Sequence, residues 1–277
     1  MMKIVEIIKQ VEQWHAPVDH PHTVDTIKIG DTNQECTGIA ITCFASVDVV
    51  RRSIEEGCNL IICHEPLFYG DQEENGISNN DPVFMAKRKL LEDAGIVVWR
   101  DHDHMHGPGG PGTEIHTEID YIYYGIMKKL GWEQYRLGEE TKPLLFQIPV
   151  TTVSDLTQEL LVKLNLCGAR IVGDQSAEVS TVYLCEHVMG RGDAKTIAKA
   201  VNVDVMIPLE IVDWTLSAYV RDSCQLNMPK AIIEMGHFNT EEIGMQYMLD
   251  WLPEVIGKEV PLRYIQSGDS FSYILRK

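Results

Sequence analysis

Six side chains of this chain combine donor types and spacings that suit a divalent metal: His64, Glu65, His102, His106, His237 and Glu241. His64 and Glu65 follow the apolar run Leu60–Cys63 and precede Pro66, which stops a strand from continuing. His102 and His106 stand four apart, as do His237 and Glu241, and residues four apart on one helical turn share a face and can grip one ion. Imidazoles and carboxylates without a thiolate suit zinc, iron, manganese, nickel or cobalt. Six such groups exceed what one tetrahedral ion needs and match two ions about 3.5–4 Å apart, the arrangement that activates water for hydrolysis. In that chemistry Glu65 or Glu241 bridges the ions, and an unligated His104 passes protons.

Plainer readings stand beside these. Glu241 also suits the first turn of a helix, where a carboxylate meets the positive end of the dipole. Asp101, Asp103 and His104 are neighbours, one of which can orient a ligand imidazole from behind. His116, His187 and Glu210 read as structural or solvated, and the three histidines between His15 and His22 as solvated loop residues.

The elements that must carry these groups alternate. Lys3 to Trp14 has a helical apolar face. Thr37–Cys43 reads as a strand, Ser46 as the cap of a helix from Val47 to Glu56, and 60–63 as a second strand, which together make a parallel βαβ unit. A polar loop from Tyr69 to Asn80 precedes a helix over Pro82–Ala94 and a strand over Gly95–Trp99. That strand empties into Asp101–His106 and a Gly/Pro turn, Gly107–Gly112, able to mould around a ligand. A helix over Ile119–Leu130 leads to a linker, Gly131–Pro143, then a strand over Leu144–Pro149 and a helix over Thr151–Leu164. All six candidate donors fall at the C-terminal ends of expected strands, the edge where α/β folds bind ligands.

The second half echoes the first. Ile39–Cys43, Val47–Glu56 and Asn59–Glu65 align with Val182–Cys185, Ala194–Ala200 and Asp204–Glu210, and Ile96–His102 with His106 aligns with Ala231–His237 with Glu241. Two matches in the same order, with polar residues in register, point to a duplication. The expected architecture is therefore two related α/β lobes, 1–140 and 141–277, with mainly parallel sheets and the metal site in the cleft between them.

Composition narrows the function classes. The 277 residues are 44% hydrophobic and 23% charged, values of a globular chain. A formal charge of −17 argues against a nucleic-acid surface, which needs clustered Lys and Arg. Seven scattered cysteines without a Cys-x-x-Cys pair suggest neither a disulfide framework nor a thiolate zinc site. No apolar run reaches the roughly 18 residues of a membrane span, and the N-terminal stretch lacks a signal-peptide apolar block, so the expected location is cytoplasmic.

Taken together, the motifs resemble those of the Nif3-like dinuclear-metal family, whose members are described as type 2 homologues of GTP cyclohydrolase 1. The resemblance covers nearly the whole chain, including Val24–Gly30. The family's His-His-Pro reads His64-Glu65-Pro66 here, its His-x-x-x-Asp reads His102 and His106, and its Gly-His-x-x-x-Glu is intact as Gly236, His237 and Glu241. A family Thr-Gly-Glu signature reads Pro208-Leu209-Glu210. The two departures are reciprocal, so the set keeps four imidazoles and two carboxylates. The resemblance implies two divalent ions per chain, a hydrolase acting on a nucleotide or related small molecule, and a toroidal homohexamer. The alternative is a metal-binding or regulatory scaffold without turnover. Arg170 and Arg191 could meet phosphates, though no Gly-rich phosphate loop is present.

Overall fold

The computed structural model describes residues 2–15, 22–70, 81–107, 119–189 and 200–274. The expected helix Ala194–Ala200 (but for its last residue), most of the polar loop and Gly/Pro turn, and His116 and Arg191 lie outside the described residues. The chain forms two units, Met1–Gly125 with Gly244–Ser267, and Ile126–Ile243 with Gly268–Lys277. This differs from a division at residue 140, because the first unit takes back a late segment whose strand pairs with an early one.

In the first unit, helix α1 (Ile4–Trp14) precedes β1 (Ile27–Ile29), β2 (Ile39–Thr42), α2 (Val47–Glu55), β3 (Leu60–Cys63), α3 (Pro82–Ala94) and β4 (Val97–Arg100). Its sheet has the order β1-β4-β3-β2-β11, where β11 is Leu262–Tyr264. Every pairing is parallel except that of the edge strand β1 with β4. Strands β2, β3 and β4 are buried throughout, as expected when helices cover both faces of a parallel sheet. Local chemistry sets the helix starts: Ser46 accepts the Val49 N–H, and Asp81 accepts those of Val83 and Phe84 ahead of Pro82.

The second unit holds β5 (Arg136–Leu137), β6 (Leu145–Thr152), α5 (Val153–Leu164), β7 (Arg170–Gly173), β8 (Glu178–Met189), β9 (Val205–Ile211), α6 (Ala218–Gln225) and β10 (Ala231–Glu234). Its sheet order is β5-β6-β8-β9-β10-β7. Only β8-β9-β10 is parallel, and the other pairings are antiparallel. This sheet is mixed, contrary to the mainly parallel expectation, because β5, β6 and β7 add short antiparallel edges to a parallel centre. The expected linker 131–143 contains a 3₁₀ turn, Glu133–Tyr135, and strand β5. The spatial order β1-β4-β3-β2 of the first sheet recurs as β7-β10-β9-β8 in the second, with the same parallel and antiparallel senses.

Helices α4 (Tyr121–Leu130), α7 (His237–Gln246) and α8 (Met248–Ile256) follow the metal-motif strands. Within the first unit α4 and α7 approach backbone to backbone: a Cβ on Gly244 would sit 2.6 Å from the Ile122 carbonyl oxygen, and one on Gly125 would sit 2.9 Å from that of Gly244. Only glycine permits that approach. Among the described residues no helix is long and apolar enough to cross a membrane.

Candidate metal centre

The register of β3 and β4 explains why the first motif and the second meet. Cys63 pairs with Arg100, and the Asp101 N–H donates to the Cys63 carbonyl at 2.9 Å, so His64 and Asp101 leave the sheet side by side. Beyond Asp101 the chain makes a tight turn in which the His106 N–H donates to the His102 carbonyl at 3.1 Å. This turn puts His102 and His106 on one face and His104 on the opposite one.

On the first face three imidazoles gather. The ring centroids of His64 and His102 are 4.5 Å apart, and each lies 4.8 Å from that of His106. Each ring has an acceptor behind its Nδ1: the Asp101 carbonyl for His64 at 3.2 Å, the Asp103 carboxylate for His102 at 2.9 Å, and the Asp120 carboxylate for His106 at 3.4 Å. An acceptor behind Nδ1 assigns the proton there and leaves Nε2 as a lone pair, the usual support of a metal-bound histidine. Yet Nε2 of His64 stands 3.1 Å from Nε2 of His106. Two lone pairs that close repel unless a proton or a cation lies between them. Burial, and then the neighbouring imidazoles, hold the His64 pKa well below its ordinary value, which disfavours an added proton and leaves a neutral Nε2–H tautomer or a cation to bridge the pair. The spacing is close to the roughly 3.3 Å between two nitrogens bound at about 2.0–2.1 Å on a tetrahedral ion. The residues present therefore fit a divalent metal. His64 is fully buried, whereas the His102 and His106 side chains are 22% and 17% exposed, so one side of the cluster meets solvent.

The turn itself is held by Asp25, which sequence reasoning missed. Its carboxylate accepts the backbone N–H groups of His102 at 2.7 Å, Asp103 at 2.9 Å and His104 at 2.8 Å, and lies 2.6 Å from the His104 Nδ1. Burial pushes the Asp25 pKa up, but these hydrogen bonds outweigh it and the net direction is down. The same balance holds for Asp103, where burial is overcome by His102, the Val24 N–H and the Thr23 hydroxyl. Asp25 reaches the turn because β1 runs antiparallel beside β4, with Ile27 opposite Trp99. Asp120, also missed, supports His106 and caps α4 by accepting the N–H groups of Ile122 and Tyr123. His15, expected to be solvated, is only 4% exposed and packs edge-on against Tyr121 and Trp251.

Glu65 is buried beside Arg100, whose Nη2 lies 3.7 Å from its carboxylate and whose Nε donates to the His64 carbonyl at 2.9 Å. In the second unit His237 is the first residue of α7, with buried Glu241 one turn on. The His237 Nε2 lies 3.3 Å from Glu241, and its Nδ1 lies 3.0 Å from Glu210 at the end of β9. Glu210, read from the sequence as structural or solvated, has a half-exposed side chain that makes this contact with His237. Gly236, at φ +100, makes the bend that turns β10 into this helix.

Comparison with known proteins converges on one family. The family model described as Duf34/NIF3 (NGG1p interacting factor 3) matches residues 2–100 and 114–268. A protein of Staphylococcus aureus (strain MRSA252) named GTP cyclohydrolase 1 type 2 homolog is 21% identical over 85% of this chain, and the aligned part spans 60% of that protein's length. A protein of the same name from Clostridium acetobutylicum is 22% identical over 87% of this chain and 85% of its own. Among solved structures, a Bacillus cereus protein related to NIF3 superposes with a TM-score of 0.69 at 14% identity, covering 99% of each chain, a likeness of fold. The motifs, the fold and the family model agree, and this chain belongs to the Duf34/NIF3 family.

Proposed function

We propose that the protein is a metal-dependent hydrolase with a dinuclear divalent-metal centre, acting on a nucleotide or related small molecule. The observation that carries this reading is the pair of Nε2 atoms of His64 and His106, 3.1 Å apart with both Nδ1 atoms backed by acceptors. His64, His102 and His106 hold one ion, and Glu65, His237 and Glu241 are the proposed further donors. His237 and Glu241 enter the proposal through their one-turn spacing and family membership. The metal, whether zinc, iron, manganese or nickel, acts when bound as a Lewis acid and lowers the pKa of water. The chain's own part is to fix the rings: Asp103 and Asp120 hold His102 and His106 in the tautomer that presents Nε2. The repeated four-strand order of the two sheets supports the proposed duplication. A homohexamer belongs to the same proposal, and native mass measurement showing only monomer at micromolar concentration would count against it.

The substrate class rests on the relatives' name, GTP cyclohydrolase 1 type 2 homolog. One observation favours the alternative of a non-catalytic metal-binding scaffold: Glu65 has a buried arginine partner. The deciding experiment assays metal-stripped and reloaded protein on GTP, other nucleotides and simple phosphoesters. Turnover that disappears with chelator and returns with metal supports the hydrolase. A fully loaded protein inert on the whole panel leaves the scaffold.

A further inference from the structure

The opposite face of the same turn carries a second group of donors that the three-histidine cluster does not use. Asp101 is fully buried, and among the described residues no donor lies within hydrogen-bonding distance of either of its carboxylate oxygens. The Nε2 of buried His15 likewise has no hydrogen-bond partner among them, and it stands 3.8 Å from the Asp101 Oδ2. Asp25, Asp101 and His104 each present a donor atom within 4.8 Å of the others. The His15 and His104 rings are 5.8 Å apart, centroid to centroid.

We propose that Asp101, His104 and His15 form a second divalent-cation site, distinct from the His64–His102–His106 cluster, with Asp25 orienting His104 from behind. Four features carry it. A carboxylate with no donor on either oxygen is costly to bury, whereas a shared cation satisfies it together with the facing imidazole. The 2.6 Å contact of Asp25 with the His104 Nδ1 leaves the His104 Nε2 as the ligating atom, repeating the carboxylate–histidine support seen behind His102 and His106. His15 is fixed by aromatic rings on two sides, Tyr121 at 5.1 Å and Trp251 at 5.3 Å, and Tyr121 is itself hydrogen-bonded to Trp14 at 2.8 Å. Finally, the Asp101 main chain and side chain serve different faces: its carbonyl receives the His64 Nδ1, while its carboxylate turns toward His15. The donor set of two imidazoles and one carboxylate is that of iron(II), cobalt(II), zinc or manganese, with positions left open for water or a small oxygen ligand.

Cobalt(II) titration followed by absorption and elemental analysis tests this site separately from the first. A His102→Ala/His106→Ala variant, shown folded by circular dichroism, should bind about one cobalt per chain more than the same variant with His15→Gln and Asp101→Asn added. In the otherwise native chain, His15→Gln should bind one ion fewer than the parent, a comparison that stands even if the double alanine variant does not fold. A folded double alanine variant that binds no cobalt, or a His15→Gln protein with the parent's ion count, overturns the proposal. An ion count that His102→Ala/His106→Ala leaves unchanged would instead count against the three-histidine site.

Discussion

Arg100 and Glu65 face each other from the ends of adjacent parallel strands, with Nη2 3.7 Å from Oε2 and both side chains buried. Arg100 also donates to the His64 carbonyl, so the glutamate that stands in place of the family's second histidine is tied to the backbone of the first. The reciprocal change at His106 is tied to the same residue, through its 3.1 Å approach to the His64 Nε2.

The two departures should therefore be coupled. Glu65→His alone removes a carboxylate and places an imidazole against a buried guanidinium, and it should weaken metal retention. Adding His106→Asp should recover at least tenfold in affinity, within the coupling of about 0.5–3 kcal/mol found for residues sharing a site. A double-mutant cycle read by competition with a chelator checks this, and strictly additive losses would show that the two positions act independently.

Asp25 should control the stability of the metal turn and its acid limit. Asp25→Ala leaves three part-buried backbone N–H groups without their acceptor, and since an orphaned buried donor costs about 1–3 kcal/mol and water reaches part of this turn, the apoprotein should lose about 1–3 kcal/mol. The folded-state pKa values of Asp25 and Asp103 lie below the ordinary carboxylate value. The unfolded chain therefore takes up protons first as pH falls. Stability from these two groups should be complete above about pH 4 and decline as pH drops through their folded values. Thermal melts of apoprotein between pH 2 and 6 should show this decline, flattened in Asp25→Asn. An unchanged pH profile in that variant would remove Asp25 from the account.

Gly244→Ala should destabilise the first unit without touching a candidate ligand. The added methyl meets Ile122 backbone atoms at 2.6 and 2.8 Å, which cannot rotate away as a side-chain tip would. Overpacking of this kind costs about 1–3 kcal/mol. Denaturant midpoints measure it, and a variant as stable as the parent would mean that α4 and α7 separate easily.

The sequence made much of this legible where chemistry is local. The Leu60–Cys63 strand, its His64-Glu65-Pro66 ending and the Pro82–Ala94 helix lie where pattern and capping residues put them. The His102/His106 pair was readable because one turn of backbone suffices to bring its members together. Asp25 was not readable: its role exists only because a three-residue edge strand pairs antiparallel with β4, and so short a strand carries almost no periodic pattern. The same reason hid β11, whose pairing with β2 returns a late segment to the first unit. His15 looked like a loop residue beside Pro17, and only its packing against Tyr121 and Trp251 makes it a core histidine. The antiparallel edges of the second sheet escaped because strand patterns do not announce the direction of their partners.

The most direct test of the central claim is anomalous diffraction at the zinc edge from crystals of the zinc-loaded protein. A peak about 2.0–2.1 Å from the Nε2 atoms of His64, His102 and His106 is the predicted result. Loaded crystals with no peak there, and with His64 and His106 sharing a proton or rotated apart, would contradict the account.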